Sequence, residues 1–494
     1  MKNQIHRQNI FNARVVSNSH IPTVAIVGAG FSGSLIATHL LRNSSQPLKI
    51  KLIDRNSEFA KGVAYSSKEN TDLLNVPVGK MSAFPDDSDN LLRWLESNSH
   101  SLQDLLPTPV SHRTFIPRQV YGLYIQSILE EAQNNGKNNV DLERLNHEVI
   151  AIEKINQEFL ISLDNDTNFQ ADKVILAIGN SPSNPAQDNH NNFYNAWSGS
   201  ALDNINPHAD ILLMGTGLTM ADIVASLHSR NHLGKIYAVS RRGLSPQIHK
   251  TTSSHPPLFT LENLPLNILK LSKLIRSEIR KAQGLGYDWR SIIDSLRPIT
   301  QQLWQKLPKT EQKRFLRHLV SYWDVHRHRI APNIGEIIRA KLKSGQLTIS
   351  AGRIKDYQLE RDKTKVIIRP RYQSEDTVIL VDRVIHCRGI NNYHSLSHPL
   401  INNLQVQGLI RLNKLGLGID TDAQGRIIDA QGQISRLLYT IGTPRRGDLW
   451  ETTAIPELRR QAQTLAENII ADLEIPKVEL ITTPSLRQIL SKIA

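Results

Sequence analysis

The sequence predicts an α/β chain built from two βαβ units of one plan, with a helical stretch inserted in the second. Three observations predict this. A short β-branched strand pattern that runs through glycines into helical spacing occurs twice. Each occurrence is followed, after a β-rich stretch, by a closing strand of similar sequence. Roughly 85 residues of helical pattern, far longer than an ordinary connection, separate the second unit from its closing strand.

At 494 residues and 39% hydrophobic content, the chain exceeds one ordinary core, and two or three domains are expected. The sole cysteine, Cys387, permits no intramolecular disulfide and no CxxC pair, which excludes reductase chemistry of the internal dithiol kind. The first twenty residues are polar, and no run of about 18 apolar residues occurs anywhere. A cytoplasmic protein without a transmembrane segment is therefore predicted.

In the first unit, Val24-Ala-Ile-Val-Gly28 reads as a buried strand, and Ser34 to Leu41 has helical spacing. The next strand, Ile50 to Ile53, ends on Asp54. The turn between strand and helix, Gly28-Ala-Gly30-Phe31-Ser32-Gly33, satisfies G-x-G-x-x-G. The first glycine makes the turn, the second lets backbone N–H groups approach a pyrophosphate, and the third lets helix pack on strand. Asp54 is placed to accept from an adenosine ribose hydroxyl. Strand, glycines, helix and acid together specify a Rossmann-like dinucleotide site, and an unliganded glycine turn is the alternative.

The second unit repeats the plan with strand Ile211 to Met214, turn Gly215-Thr-Gly217-Leu-Thr219-Met220, a helix, and strand Ile236 to Ser240. Met220 stands where the third glycine would be, so helix and strand must pack differently there. Asp54 lies 26 residues after Gly28, and the same count from Gly215 reaches Arg241, followed by Arg242. Guanidinium groups suit a ribose 2′-phosphate, which favours NADPH over NADH at this site; arginines lining a solvated loop are the alternative. The closing strands, Ala171 to Gly179 and Val381 to Gly389, match at Asp172 and Asp382 and at their final glycines.

The predicted boundaries are 1–20 for a disordered N-terminal segment, 21–200 for the first part of the FAD-binding domain, 201–390 for the NAD(P)H-binding domain with its insert at 258–343, 391–475 for the second part of the FAD-binding domain, and 476–494 for a tail. FAD is assigned to the first site because two dinucleotide sites in one chain imply hydride transfer between a nicotinamide and a flavin. Near the end of the chain Leu437 to Gly442 reads as a strand, followed by a helix from about Thr453, a candidate N-cap with Ala454 and Pro456 in the first turn. That helix would point its N-terminus at the flavin and stabilise negative charge there, or stand as an unliganded surface helix.

The net charge of +13 is concentrated in the insert, where Leu258 to Lys343 holds 17 Lys or Arg against 7 Asp or Glu, a balance of 17 − 7 = +10. Such a surface can attract an acidic substrate, a membrane or a nucleic acid, and a solvated helical face is the plainer reading. No specific nucleic-acid function is read from it, and the oligomeric state is left open. The insert also carries Trp323, His326 and His328, the candidate substrate residues; the two histidines, two apart, do not share a helix face and do not suggest a metal. A packing cluster at a helix end is the alternative, and no general base is singled out.

Beyond the two glycine turns, the segments Gly62-Val-Ala-Tyr65, Leu74-Asn75-Val-Pro77, Met81-Ser-Ala83, Pro85-Asp-Asp87, Phe115-Ile-Pro-Arg118, Ser240-Arg-Arg-Gly243, Trp323 to Arg329 and Trp450-Glu-Thr-Thr-Ala-Ile-Pro456 resemble a family of bacterial FAD and NAD(P)-binding proteins that includes FAD-dependent urate hydroxylase and aspartate or asparagine N-monooxygenases. The resemblance covers nearly the whole chain. It implies a monooxygenase-like cycle in which NADPH reduces the flavin and molecular oxygen then hydroxylates a small polar metabolite in a closed, dry pocket. It also implies that Asn75 to Met81 lie by the flavin, Arg118 near its phosphates or the pocket, and Trp450 to Pro456 by the ring. The chain departs from many such proteins in having Gly442-Thr443 where Gly-Asp ends the last strand, which makes Asp448 a substitute candidate for the ribityl chain. The Phe-x-Gly-x-x-x-His-x-x-x-Trp stretch of Baeyer-Villiger enzymes is missing, although His190 and Trp197 occur. A reductase or oxidase that passes electrons without inserting oxygen, and a flavin-bound regulatory protein that docks through the insert, are the alternatives.

Overall fold

The computed structural model describes residues 20–474 apart from 68, 108, 137–138, 180–191, 198–199, 254, 257–258 and 388–398. The N-terminal segment, the C-terminal tail, His190 and Gly389 fall outside the described residues, except that His20 is included.

The chain begins with β1 (Thr23–Val27), α1 (Phe31–Asn43) and β2 (Leu48–Ile53), followed by α2 (Gly62–Tyr65), α3 (Asn90–Ser97), α4 (Arg118–Asn134) and β3 (Val140–Leu145). A meander of β4 (Val149–Ile155), β5 (Glu158–Leu163) and β6 (Asn168–Ala171) leads into β7 (Lys173–Leu176). β1 runs parallel to both β2 and β7, with Val24 beside Ile50 on one side and Lys173 on the other. Every residue of β1 is buried, as its unbroken apolar run requires of a strand covered on both faces.

The second unit holds β8 (Phe193–Asn195), β9 (Ile211–Met214), α5 (Leu218–Ser229) and β10 (Ile236–Ser240). Six helices follow: α6 (Ile268–Gly284), α7 (Trp289–Ser295), α8 (Thr300–Lys306), α9 (Lys309–His318), α10 (Val320–Arg327) and α11 (Pro332–Lys343). This is the insert expected from the sequence. Strands β11 (Leu347–Glu360), β12 (Lys363–Pro370), β13 (Thr377–Val381) and β14 (Arg383–His386) return to the sheet. The last part comprises α12 (Pro399–Val406), β15 (Arg426–Ile428), β16 (Ile434–Thr440), α13 (Arg446–Leu449) and α14 (Ile455–Glu474).

Two sheets result, ordered β15-β16-β7-β1-β2-β3 and β13-β12-β11-β10-β9-β14-β8, beside the small sheet β4-β5-β6. β9 is flanked in parallel by β10 and β14, as β1 is by β2 and β7. The matching aspartates close the two sheets by one device. Asp172 accepts from the Thr23 N–H at 2.9 Å and Asp382 from the Asp210 N–H at 2.7 Å, each clamping the entry to the central strand.

Two sequence expectations need adjustment. β8 pairs with β14, so the second sheet starts ahead of the 201 boundary; Phe193 is held there against Tyr357, 5.0 Å between ring centroids. Thr453 is exposed and does not cap α14. The Ala454 carbonyl accepts from the Glu457 and Leu458 N–H groups, which moves the helix start one residue on. No described helix is long and apolar enough to cross a membrane.

Candidate functional site: two facing nucleotide cradles

The first cradle forms where the C-terminal ends of β1, β2 and β7 meet the start of α1. Gly28 adopts φ +101°, closed to most side chains, and a Cβ there would meet the Ala177 carbonyl oxygen at 2.4 Å. A Cβ on Gly33 would lie 1.9 Å from the Gly28 oxygen, so α1 is seated as closely on β1 as the glycine allows. Gly30 occupies the N-cap with no side chain to satisfy the helix end, which leaves the first-turn N–H groups of Phe31, Ser32 and Gly33 available to an anion. Asp54 accepts from the Ala29 N–H at 2.8 Å through one oxygen and from the Asn56 N–H at 2.9 Å through the other. A carboxylate has about four acceptor sites, so capacity for a ribose hydroxyl remains. An open glycine turn, an uncapped helix end and an acid at the strand tip fit FAD.

Other predicted residues gather around this turn. Gly179 follows β7 at φ +55° with open space beside it. Gly442 follows β16 at φ +77°, and a Cβ on it would come 3.7 Å from Ser32 Oγ. The Gly442 carbonyl accepts from Thr452 Oγ1 at 3.1 Å, which ties the end of β16 to the residues that precede α14. Met81 is different. It is buried in the first core, its carbonyl taken by the Tyr121 hydroxyl at 2.9 Å. Asp448, the ribityl candidate, is engaged by Asn413 Nδ2 and by the N–H and hydroxyl of Thr421, and burial raises its carboxyl above the ordinary range. Its bonds are structural.

In the second cradle, Gly215 adopts φ +130° and Gly217 caps α5 without a side-chain bond. A Cβ on Gly217 would meet nothing within 4 Å. Met220 is fully buried in the second core, and Thr219 lies half-buried in the first turn beside it. The two arginines at the end of β10 part company. Arg241 is exposed at the cradle rim. Arg242 reaches the insert, donating to the His318 carbonyl at 3.0 Å and lying 4.9 Å from the Tyr322 ring centroid.

Between the cradles, Arg118 at the start of α4 donates to Asp222 of α5 at 2.9 Å. Arg118 is thus committed to the junction of the two units, and its Nε is buried without a hydrogen-bond partner. Burial pushes the Asp222 carboxyl up to about 6, against the pull of Arg118. Asn75, half-buried, lines a narrow cleft here with Leu74, Leu218 and Ile334. A separate cavity of about 270 Å³ is lined by Leu202, Ile205, Leu227 and His232 on the second unit. Its lining comes from the C-terminal end of α5 and the loops beside it, away from the glycine turn at the start of that helix, and we assign it no part in the site.

The insert closes over the segment before α14 through a residue the sequence reading did not single out. Glu451, 6% exposed, accepts from Trp323 Nε1 at 2.8 Å, with Arg327 Nη2 at 3.4 Å and His328 Nε2 at 4.0 Å. Burial alone would raise its carboxyl, yet Arg327, His328 and Trp323 hold it below the ordinary value. Trp450 aims it inward. At φ +61° and ψ −69°, with the Glu451 N–H bonded to the Leu449 carbonyl at 2.7 Å, Trp450 forms the rare, strained form of γ-turn. Its ring packs 5.0 Å from Trp304 and 5.1 Å from Phe315, which sustains that backbone. Arg297 adds a two-pronged pair to Glu457 of α14 at 2.7 and 2.8 Å. Of the three candidate substrate residues, Trp323 and His328 meet at Glu451, whereas His326 turns to Trp289, 4.9 Å between ring centroids. Glu451 was legible only as part of the Trp450 to Pro456 motif.

Two parallel-sheet dinucleotide domains, the second interrupting the first, define the class: an α/β protein with paired Rossmann-like domains. Residues 25–181 match the family model described as FAD-NAD(P)-binding, which upholds the resemblance to FAD and NAD(P)-binding proteins read from the motifs. The fold is that of L-lysine 6-monooxygenase from Pseudomonas syringae, at 16% identity and TM-score 0.63, covering 92% of this chain and 100% of that one. Ornithine N-hydroxylase from Kutzneria sp. 744 aligns at 12% identity and TM-score 0.62, covering 92% and 100%. The cadaverine monooxygenase of desferrioxamine biosynthesis from Erwinia amylovora aligns at 12% identity and TM-score 0.61, covering 94% and 98%. No curated protein matches by sequence.

Proposed function

We propose that this protein is an FAD-dependent monooxygenase that takes hydride from NADPH and hydroxylates a small polar metabolite. An amine is the substrate class that its structural neighbours, an ornithine N-hydroxylase, an L-lysine 6-monooxygenase and a cadaverine monooxygenase, suggest first. One observation carries the reading: two glycine cradles of one plan, tipped by Asp54 in the first and Arg241 in the second, stand on units joined at Arg118 and Asp222.

FAD would be held in the first cradle, its pyrophosphate on the N–H groups of Phe31 to Gly33 and its ribose on Asp54, with Gly179 and Gly442 leaving room for the chain beyond. Asn75 and the α14 start at Thr453 and Ala454 would border the ring. NADPH would rest on Gly215, Gly217 and Thr219. Arg241, exposed at the rim, is the better candidate for the 2′-phosphate; Arg242 supports it by fixing the loop to the insert. Bound flavin supplies hydride acceptance and oxygen activation. The chain's own contribution is orientation and the exclusion of water, and the lock of Trp323, Arg327 and His328 on Glu451 serves the second by holding the insert over the segment before α14.

The reading is tested by incubating the flavin-loaded protein with NADPH, labelled dioxygen and a panel of small amines and amino acids. The expected result is one compound that accelerates NADPH oxidation and leaves as a product bearing one labelled oxygen. Acceleration by an electron acceptor with no labelled product from any compound would instead indicate a reductase and overturn the monooxygenase reading.

A further inference from the structure

The basic insert presents one face that neither cradle uses. Helix α6 runs 17 residues, about 25 Å, and packs into the insert through Ile268, Leu271 and Ala282. Its outward side follows the spacing i, i+4, i+7, i+11 and reads Leu269, Lys273, Arg276, Arg280, with Lys270 and Lys281 flanking the row. All six are exposed. Among the described residues, Lys270, Lys273, Arg276 and Arg280 have no carboxylate within ion-pair distance, and only Lys281 is paired, to Glu278 at 2.7 Å. Glu311, at the helix start, is buried and spent on the Ile268 N–H at 2.8 Å and on Arg314. Nothing on this face neutralises the row.

Apolar side chains stand among these cations. Leu269 is 63% exposed at the start of the row, Leu285 is 75% exposed just past the end of α6, and Leu266 is exposed three residues before Leu269. Single exposed leucines are ordinary, but a leucine at each end of an unpaired cationic row is a pairing with a specific use. A nucleic-acid backbone would engage the cations and leave the leucines in water, and no aromatic side chain of α6 is there to stack on a base. An acidic lipid surface takes both: headgroups neutralise the cations and the leucines enter the boundary with the acyl chains.

We propose that the α6 face is a docking surface for anionic membrane lipid, which would hold the protein peripherally at a bilayer with its cradles in the aqueous phase. The face commits to anionic lipid as the occupant on charge complementarity and on the leucines that accompany the charge.

The test is co-sedimentation of the full, flavin-loaded chain with phosphatidylcholine vesicles, with vesicles containing phosphatidylglycerol, and, in competition, with a short DNA duplex. Binding to the anionic vesicles should exceed binding to the neutral ones by roughly tenfold or more and weaken as salt is raised. The triple variant Lys273→Glu, Arg276→Glu, Arg280→Glu should lose that preference. Leu266→Ser with Leu269→Ser should weaken vesicle binding several-fold without affecting DNA binding, and both variants should keep flavin content and the rate of NADPH oxidation. Equal binding to both vesicle types, retention by the charge-reversed variant, or a duplex that outcompetes the vesicles would each overturn the proposal. If the triple variant does not fold, the serine pair, which changes no charge, decides the matter alone.

Discussion

Gly33→Ala is expected to yield a protein that does not retain flavin. The added methyl would sit 1.9 Å from the Gly28 carbonyl oxygen and 3.2 Å from Ile26 Cγ2, and the first of these is backbone that cannot swing aside. Helix α1 must then lift from β1, which displaces the first-turn N–H groups that form the cradle. Overpacking of this kind costs about 1–3 kcal/mol in a core that can adjust, and more where backbone meets backbone. Gly217→Ala is the matched comparison. Its Cβ would meet nothing within 4 Å and its φ is −88°, so the fold and the flavin should both survive. Flavin absorbance per polypeptide and a thermal melt read both variants, and a Gly33→Ala protein with full flavin and unchanged Tm would contradict this account of the cradle.

Glu451→Ala is expected to release the insert from the first unit. Among the described residues the carboxylate is the one acid within ion-pair distance of Arg327 and His328, and its removal leaves the Arg327 guanidinium without its counter-charge, a loss of about 3–5 kcal/mol for a buried pair. Melting should fall accordingly, and limited proteolysis should open cleavage sites between α6 and α11. Glu451→Gln, which keeps volume and an acceptor for Trp323, should recover part of the loss. The pH dependence has a definite sign. Because the folded carboxyl is held below its ordinary value of 4.5, its contribution is complete above that value and is lost as pH falls through the folded value. The gap between wild type and Glu451→Gln should therefore be full at neutral pH and close in acid. An Ala variant with wild-type melting at neutral pH would show that the insert is held by its aromatic packing alone.

What was legible in the sequence is what short-range chemistry dictates. The glycines at 28, 30 and 33, the acid 26 residues on, and the doubled strand-turn-helix pattern are local devices, and they stand where their spacing places them. The match of Asp172 with Asp382 was visible as a repeat, though not as the clamp each makes on its central strand. Pairings between distant segments were not legible. Arg118 and Asp222 are 104 residues apart, and Trp323 and Glu451 are 128 apart; Arg118 and Trp323 stood out in their motifs, but nothing local named the partner that the fold brings to each. The same blindness misassigned Asp448, whose neighbours at Asn413 and Thr421 come from a loop with no periodic signal. It also grouped Arg241 with Arg242, although the insert claims only the second. Thr453 shows a smaller limit: a good capping residue one position early loses to the register that burial of Ile455 and Leu458 imposes on α14.

The central claim is that the two cradles carry a flavin and its hydride donor and act on each other. Anaerobic titration of the purified, flavin-loaded protein with NADPH tests it most directly. The account predicts that the flavin absorbance bleaches completely with one equivalent of NADPH, and that Arg241→Ala raises the NADPH concentration required by roughly tenfold while leaving that for NADH nearly unchanged, as expected for loss of one charged hydrogen-bond partner. A protein that takes up no flavin, or whose bound flavin stays oxidised in excess NADPH and NADH, would contradict it.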